Sequence, residues 1–124
     1  MREENIVKLR PTIELDTTDS MPIETFQNTT LRPILKLQHD LLFQVFKHYI
    51  VSRKNAFLEL KAGKRAVYIH DTLKADLKFK NRLLGIIIGH FTVEEYAFFQ
   101  ENETELARRI TEMLIKRLQS MVFS

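Results

Sequence analysis

The chain of 124 residues has no cysteine and no tryptophan, and only three glycines and three prolines. Without cysteine there is no disulfide framework, no thiolate nucleophile and no thiolate metal ligand, which fits a reducing compartment and a cytoplasmic protein. No apolar run approaches the roughly 20 residues that a bilayer-crossing helix needs, so no membrane segment is expected. Met1-Arg2-Glu3-Glu4 carries acids with no apolar run behind it, unlike a secretory signal. Catalytic signatures are missing as well. There is no Gly-x-Ser-x-Gly elbow, and Gly63-Lys64-Arg65 lacks the earlier glycine and the Ser/Thr of a phosphate loop. None of His39, His48, His70 or His90 has a glutamate three residues before it, and no His-Glu-x-x-His occurs, so spacing supports no metal site and no cofactor is expected.

At this length the chain makes one domain, and with 44% hydrophobic and 10% aromatic residues it can bury a real core. The net charge of +3 conceals an asymmetry. Nine basic residues against three acidic lie between Ser52 and Arg82, and six acidic against two basic between Glu94 and Glu112. A basic patch attracts phosphate backbones. Here, however, no stacking aromatics are interleaved and no nucleic-acid motif is matched, so a solvated helix face, or two faces that attract each other within one fold or between copies, is the preferred reading.

Leu83-Leu84-Gly85-Ile86-Ile87-Ile88-Gly89-His90-Phe91 is apolar on every side and is expected at the centre of the domain. Gly85 and Gly89, four apart, would let a neighbouring helix come close, offsetting the roughly 1 kcal/mol that each glycine costs in a helix. The same stretch could be a buried β-strand, but no other credible strand is present to pair with it. Its apolar residues continue in phase from Ala66, Ile69, Leu73 and Leu77, so either one helix spans about 64–90 or two meet near Asn81.

Residues 1–20 form a separate zone. Val7, Leu9, Ile13 and Leu15 alternate with polar residues around Pro11, the pattern of an extended amino-terminal arm. Residues 21–124 follow as the helical domain. Pro33 should kink the chain or start a helix capped by Thr29 or Thr30. From Leu31 to Ile50, Leu31, Leu35, Leu42, Val45, Phe46 and Tyr49 form one stripe of an amphipathic helix. A connection follows, with a short turn at 56–60. Thr92 and Glu95 make a capping box for a helix through Tyr96, Phe98 and Phe99, and Asn102 repeats the cap signature before a last helix to about Met121. The fold class is therefore all-α: one domain, a bundle of four to five helices around the central apolar helix, with the extended arm.

Five residues are candidates for chemistry. His90 ends the apolar segment close to Glu94 and Glu95, where a histidine serves either as acid–base group or as the partner of a helix-end carbonyl. Gln38 falls on the apolar stripe with His39 at its shoulder; a buried amide needs partners, whether a ligand, another helix or a second subunit. A metal site made from His39, His70, His90 and Glu94 or Glu95 would need scattered histidines to converge. Arg117, on the apolar face of the last helix, needs a carboxylate, an interface or a route to water, and Asp76 is one possible partner.

Glu24-Thr25-Phe26-Gln27-Asn28, Leu31-Arg32-Pro33-Ile34 and Leu84–Thr92 with Glu94-Glu95-Tyr96 resemble a group of short uncharacterised bacterial proteins whose members are sometimes labelled glyoxalase. The metal-dependent glyoxalase fold is built from βαβββ units with ligands on strands. This chain offers no such strands, so the resemblance implies no catalytic residue. The leading functional expectation is a non-enzymatic cytoplasmic helical domain that forms a homo-oligomer. The alternatives are a small-ligand or metal-dependent enzyme with its pocket near His90, and a nucleic-acid binder using the basic 53–82 segment.

Overall fold

A computed structural model describes residues 1–12 and 21–123. It is all-α, a single domain, with no strand among the described residues, so the strand reading of Leu83–Gly89 falls away.

The amino terminus departs from the expected extended arm. Arg2–Leu9 is a helix, α1, with Glu3 and Glu4 in its first turn and Lys8 in its last, charges that complement the helix dipole. The alternation of Val7 and Leu9 misleads because neither is buried: they are 49% and 60% exposed, and α1 buries no residue at all. Its ties to the fold are polar instead. Ile13, Leu15 and the turn residues 17–20 lie outside the described residues.

Pro22–Phe26 (α2) runs through a widened π turn, Gln27–Leu31, into Arg32–Leu37 (α3). Pro33 supplies no amide and crowds the carbonyl four residues back, so the ladder widens before it instead of breaking. No side chain caps α3; the Thr29 hydroxyl donates to the Thr25 carbonyl at 2.7 Å. The amphipathic helix expected over Leu31–Ile50 is thus divided at Gln38 (φ −90°, ψ 6°), after which His39–Ser52 forms α4. Its stripe nonetheless points inward, with Leu31, Leu35, Leu42 and Phe46 all but sealed. Lys54 and Asn55 reverse the chain with positive φ, and the 3-10 turn Ala56–Glu59 buries Phe57.

The next two helices are Ala62–Ala75 (α5) and Leu77–Ile88 (α6). Their break falls at Asp76, not near Asn81, because the Asp76 carboxylate caps α6 by accepting from the Phe79 amide at 3.1 Å. Leu77 then rotates out of the stripe and is 57% exposed. Leu83, Leu84, Ile87 and Phe91 are buried as expected, but α6 is not wrapped all round. Gly85 and Gly89 face solvent, Ile86 and Ile88 are half-buried, and a Cβ built on Gly85 meets nothing within 4 Å. The glycine pair does not seat a neighbouring helix within this fold.

Val93–Glu101 (α7) begins with the full Thr92/Glu95 capping box, and Glu103–Gln119 (α8) crosses the back of the molecule, burying Leu106, Ile110, Thr111, Leu114, Ile115 and Leu118. Asn102 precedes α8 but turns its amide back to the Phe98 carbonyl, so it does not cap with its side chain. Phe46 lies at the middle of one aromatic cluster with Phe57, Phe79 and Phe123, and Phe26 packs against Phe91 and Phe98 in another.

Candidate functional site

The candidate residues separate into two polar groups. The first forms where α1 meets the turn between α6 and α7. Glu95 is fixed as the third residue of α7 by its capping box, in which its Oε1 accepts from the Thr92 amide at 2.8 Å. That leaves a carboxylate with unfilled acceptor capacity in half-buried surroundings, and Arg10 fills it in the bidentate manner at 2.7 and 2.8 Å. The Thr30 hydroxyl, at the end of the π turn, donates to the same carboxylate at 3.1 Å. Arg10 also donates to the His90 carbonyl at 2.6 Å, while its Nε is buried without a partner among the described residues. Arg2 and Glu3 complete the clamp: Arg2 donates to the Phe91 carbonyl at 3.0 Å, and Glu3 accepts from the Val93 amide at 2.9 Å.

The electrostatics follow from depth and neighbours. Burial pushes the Glu95 carboxyl upward, yet the Arg10 guanidinium, the Thr92 amide and the Thr30 hydroxyl outweigh it and leave the group below the usual carboxylate range. His90 is held below the ordinary histidine value, first by burial and then by Arg10 and Arg2 nearby. Its Nδ1 is buried without a hydrogen bond among the described residues, and only its backbone carbonyl joins the network. A neutral imidazole flanked by two cations can accept a proton only with difficulty, which opposes a general-base role at neutral pH.

The other candidates lie elsewhere. Glu94 is exposed. His39 lies with its Nδ1 3.0 Å from the Arg117 guanidinium. Arg117 has no carboxylate partner among the described residues; burial, then the charge of Arg32, lowers its affinity for its proton. Its suggested partner Asp76 is engaged with Arg53 and Tyr49 instead. Gln38 occupies the break between α3 and α4, and no hydrogen bond joins it or His39 to His90, Glu94 or Glu95 among the described residues. His70 is exposed beside Asp71. No group of three or more His, Asp or Glu residues able to hold a metal ion occurs among the described residues.

The second polar group is open. Asp76, held in place by capping α6, accepts from the Tyr49 hydroxyl at 2.9 Å and from Arg53 at 3.1 Å, and Arg53 stacks 4.7 Å above the Tyr49 ring. The backbone hydrogen bond from Phe79, then the Tyr49 hydroxyl, keep the Asp76 carboxyl below its ordinary value against a small desolvation penalty. From here a trough runs between α4 and α6. One hollow of about 190 Å³ is bordered by Ser52, Arg53, Lys78 and Arg82, and a second of about 320 Å³ by Gln44, Val45, His48 and Arg82. Lys78 and Arg82 are exposed, one helical turn apart on α6, and form no ion pair among the described residues.

The basic 53–82 segment is therefore not one patch. Arg65 turns inward to the carbonyls of Leu58, Leu60 and Phe123, and Lys74 pairs with Glu112 across the α5–α8 contact. Arg53, Lys78 and Arg82 are the members gathered on the trough. Of the acidic stretch, Glu105 is tied to Arg108 and Arg109, whose hydrogen bonds pull its carboxyl down to about 2. Glu94, Glu101 and Glu103 stay exposed and form no ion pair among the described residues.

Sequence reasoning missed Arg10, Thr30 and Tyr49. A faint signal for Arg10 existed: a capping-box glutamate has acceptor capacity that its own backbone bond does not fill. No helix among the described residues is long and apolar enough to cross a membrane. A scan against protein-family models finds no match, and searches of curated proteins and of solved structures find none either.

Proposed function

We propose that this protein is a non-enzymatic cytoplasmic helical domain whose work is binding, and that it self-associates. The observation that carries this reading is how its charges are spent. The half-buried carboxylate Glu95 is saturated by donors that hold the fold together, so it is not free to act as an acid or base. Among the exposed charges that form no ion pair among the described residues, Lys78 and Arg82 line a trough, while Glu94 and Glu101 lie on α7. Segregated opposite charge favours association between copies and steers it. The absence of cysteine agrees with a reducing compartment.

Sedimentation equilibrium tests the reading. The weight-average mass is expected to rise with protein concentration through the micromolar range and to fall when salt is raised from about 0.05 to about 0.5 M, since exposed charges are screened over shorter distances. A monomer mass at every concentration and salt level would overturn it.

A further inference from the structure

Among the described residues, one face of α7 and the trough between α4 and α6 carry exposed charges that form no ion pair. On α7, Val93, Ala97, Gln100 and Glu101 recur at helical spacing and are all exposed, Val93 at 72%. Glu94 and Tyr96 flank that line, Tyr96 at 46% exposure. The face is mildly apolar along its middle with two glutamates, seven residues apart, along one edge.

The trough between α4 and α6 has the complementary character. Val45 and Phe79 supply apolar lining, Lys78 and Arg82 stand on the α6 side, and Arg53 follows the end of α4. The only carboxylate lining it among the described residues, Asp76, is already engaged by Arg53, the Tyr49 hydroxyl and the Phe79 amide. Lengths agree as well. Gln44 to Ser52 on α4 spans about 12 Å and Glu94 to Glu101 on α7 about 10 Å, while Lys78 and Arg82 lie about 6 Å apart along α6, a difference their long side chains can span.

From this match of charge, apolar lining and length we infer that α7 of one copy seats in the α4–α6 trough of a second copy, with Glu94 and Glu101 against Lys78 and Arg82. This rests on the self-association reading and gives it an interface. The two surfaces are different parts of the chain, so the contact either is made twice in a reciprocal dimer or repeats head to tail into a ring or filament. A helix laid in a groove with i, i+4, i+7 anchors is a common mode of recognition.

Charge exchange tests it. Lys78→Glu with Arg82→Glu makes trough and α7 both acidic, and Glu94→Lys with Glu101→Lys makes both basic. The four side chains are exposed, and unchanged far-ultraviolet circular dichroism checks that each variant folds. Each variant alone is expected to dissociate at least about tenfold more readily than the wild type, while an equal mixture regains association, because each then meets its opposite. The neutral pair Lys78→Gln with Arg82→Gln weakens association without repulsion and stands in if a reversed variant misfolds.

The outcomes separate the two claims. Wild-type association that survives both reversals, or a mixture that stays monomeric, overturns this interface and leaves self-association standing. A wild type that is monomeric throughout overturns both. Tight, salt-dependent binding of a single-stranded oligonucleotide, lost with Lys78→Glu and Arg82→Glu while association persists, would assign the trough to nucleic acid and also overturn the inference.

Discussion

Arg10, Glu95 and Thr30 at the α1 junction, and Arg53, Asp76 and Tyr49 at the end of the trough, are the same assembly of guanidinium, carboxylate and hydroxyl built at two depths. The arginine and carboxylate side chains are 8% and 19% exposed in the first and 53% and 24% in the second. In both, the carboxylate is oriented by capping a helix, α7 or α6. Depth decides what each does. Away from water, Glu95 must be saturated or it costs stability, so its donors come from α1, the π turn and α7 and knit those elements together. Asp76 is nearly as sheltered as Glu95, but its partner Arg53 stands in water, so that ion pair contributes little and the cations beside it stay available to a visitor. One arrangement closes the fold and the other leaves it a surface.

Glu95→Gln strikes at that difference most strongly. It leaves the Arg10 guanidinium buried without its counter-charge, an expected loss of about 3 kcal/mol and of about 10 °C in melting temperature, read by denaturant and thermal unfolding. A loss no larger than that of an exposed ion pair would mean the junction is wetter than its geometry says. The pH dependence has a definite sign. Glu95 has a lower pKa in the folded protein than in the unfolded chain, so its stabilisation is present above the unfolded value of about 4.3 and fades as pH falls through the folded one. The stability gap between wild type and Glu95→Gln should therefore narrow below about pH 4.

Asp76→Ala is the parallel change on the open side. The expected loss is about 1 kcal/mol, the worth of a helix cap, because Arg53 can return to solvent. Equal losses for Glu95→Gln and Asp76→Ala would erase the contrast in depth.

The all-α class, the capping box of α7 and most of the core were legible because they are written in local spacing: Leu31, Leu35, Leu42 and Phe46 repeat at helical intervals, and Thr92 precedes Glu95 by three. The boundaries that moved are those where one polar side chain outvotes periodicity. Asp76 divides an unbroken apolar phase by capping α6, and Gln38 divides the helix expected over Leu31–Ile50, while Pro33 lies in the first turn of α3 as its chemistry predicts. The polar groups were less legible for a different reason. Glu95 and His90 could be singled out by their sequence neighbourhood, but Arg10, 85 residues away, reaches Glu95 only through the placement of α1, whose own residues bury nothing and so leave no hydrophobic trace. The basic segment was visible, yet which of its members meet at the trough depends on the break at Asp76.

The glycine pair of α6 gives the finest probe of the same contrast, because Gly89 belongs to the clamped end and Gly85 to the open face. A Cβ at Gly85 meets nothing within 4 Å, so Gly85→Ala should gain up to about 1 kcal/mol from the restricted unfolded chain and the better helix former. At Gly89 a Cβ would come 3.1 Å from the Gly85 carbonyl, in a turn whose own carbonyl receives Arg2, so the same substitution should gain nothing. Denaturant midpoints of the two variants measure the difference. Gly85 shares the exposed side of α6 with Lys78 and Arg82, so a gain that vanishes as protein concentration rises would show that a second copy covers this face when the chains associate.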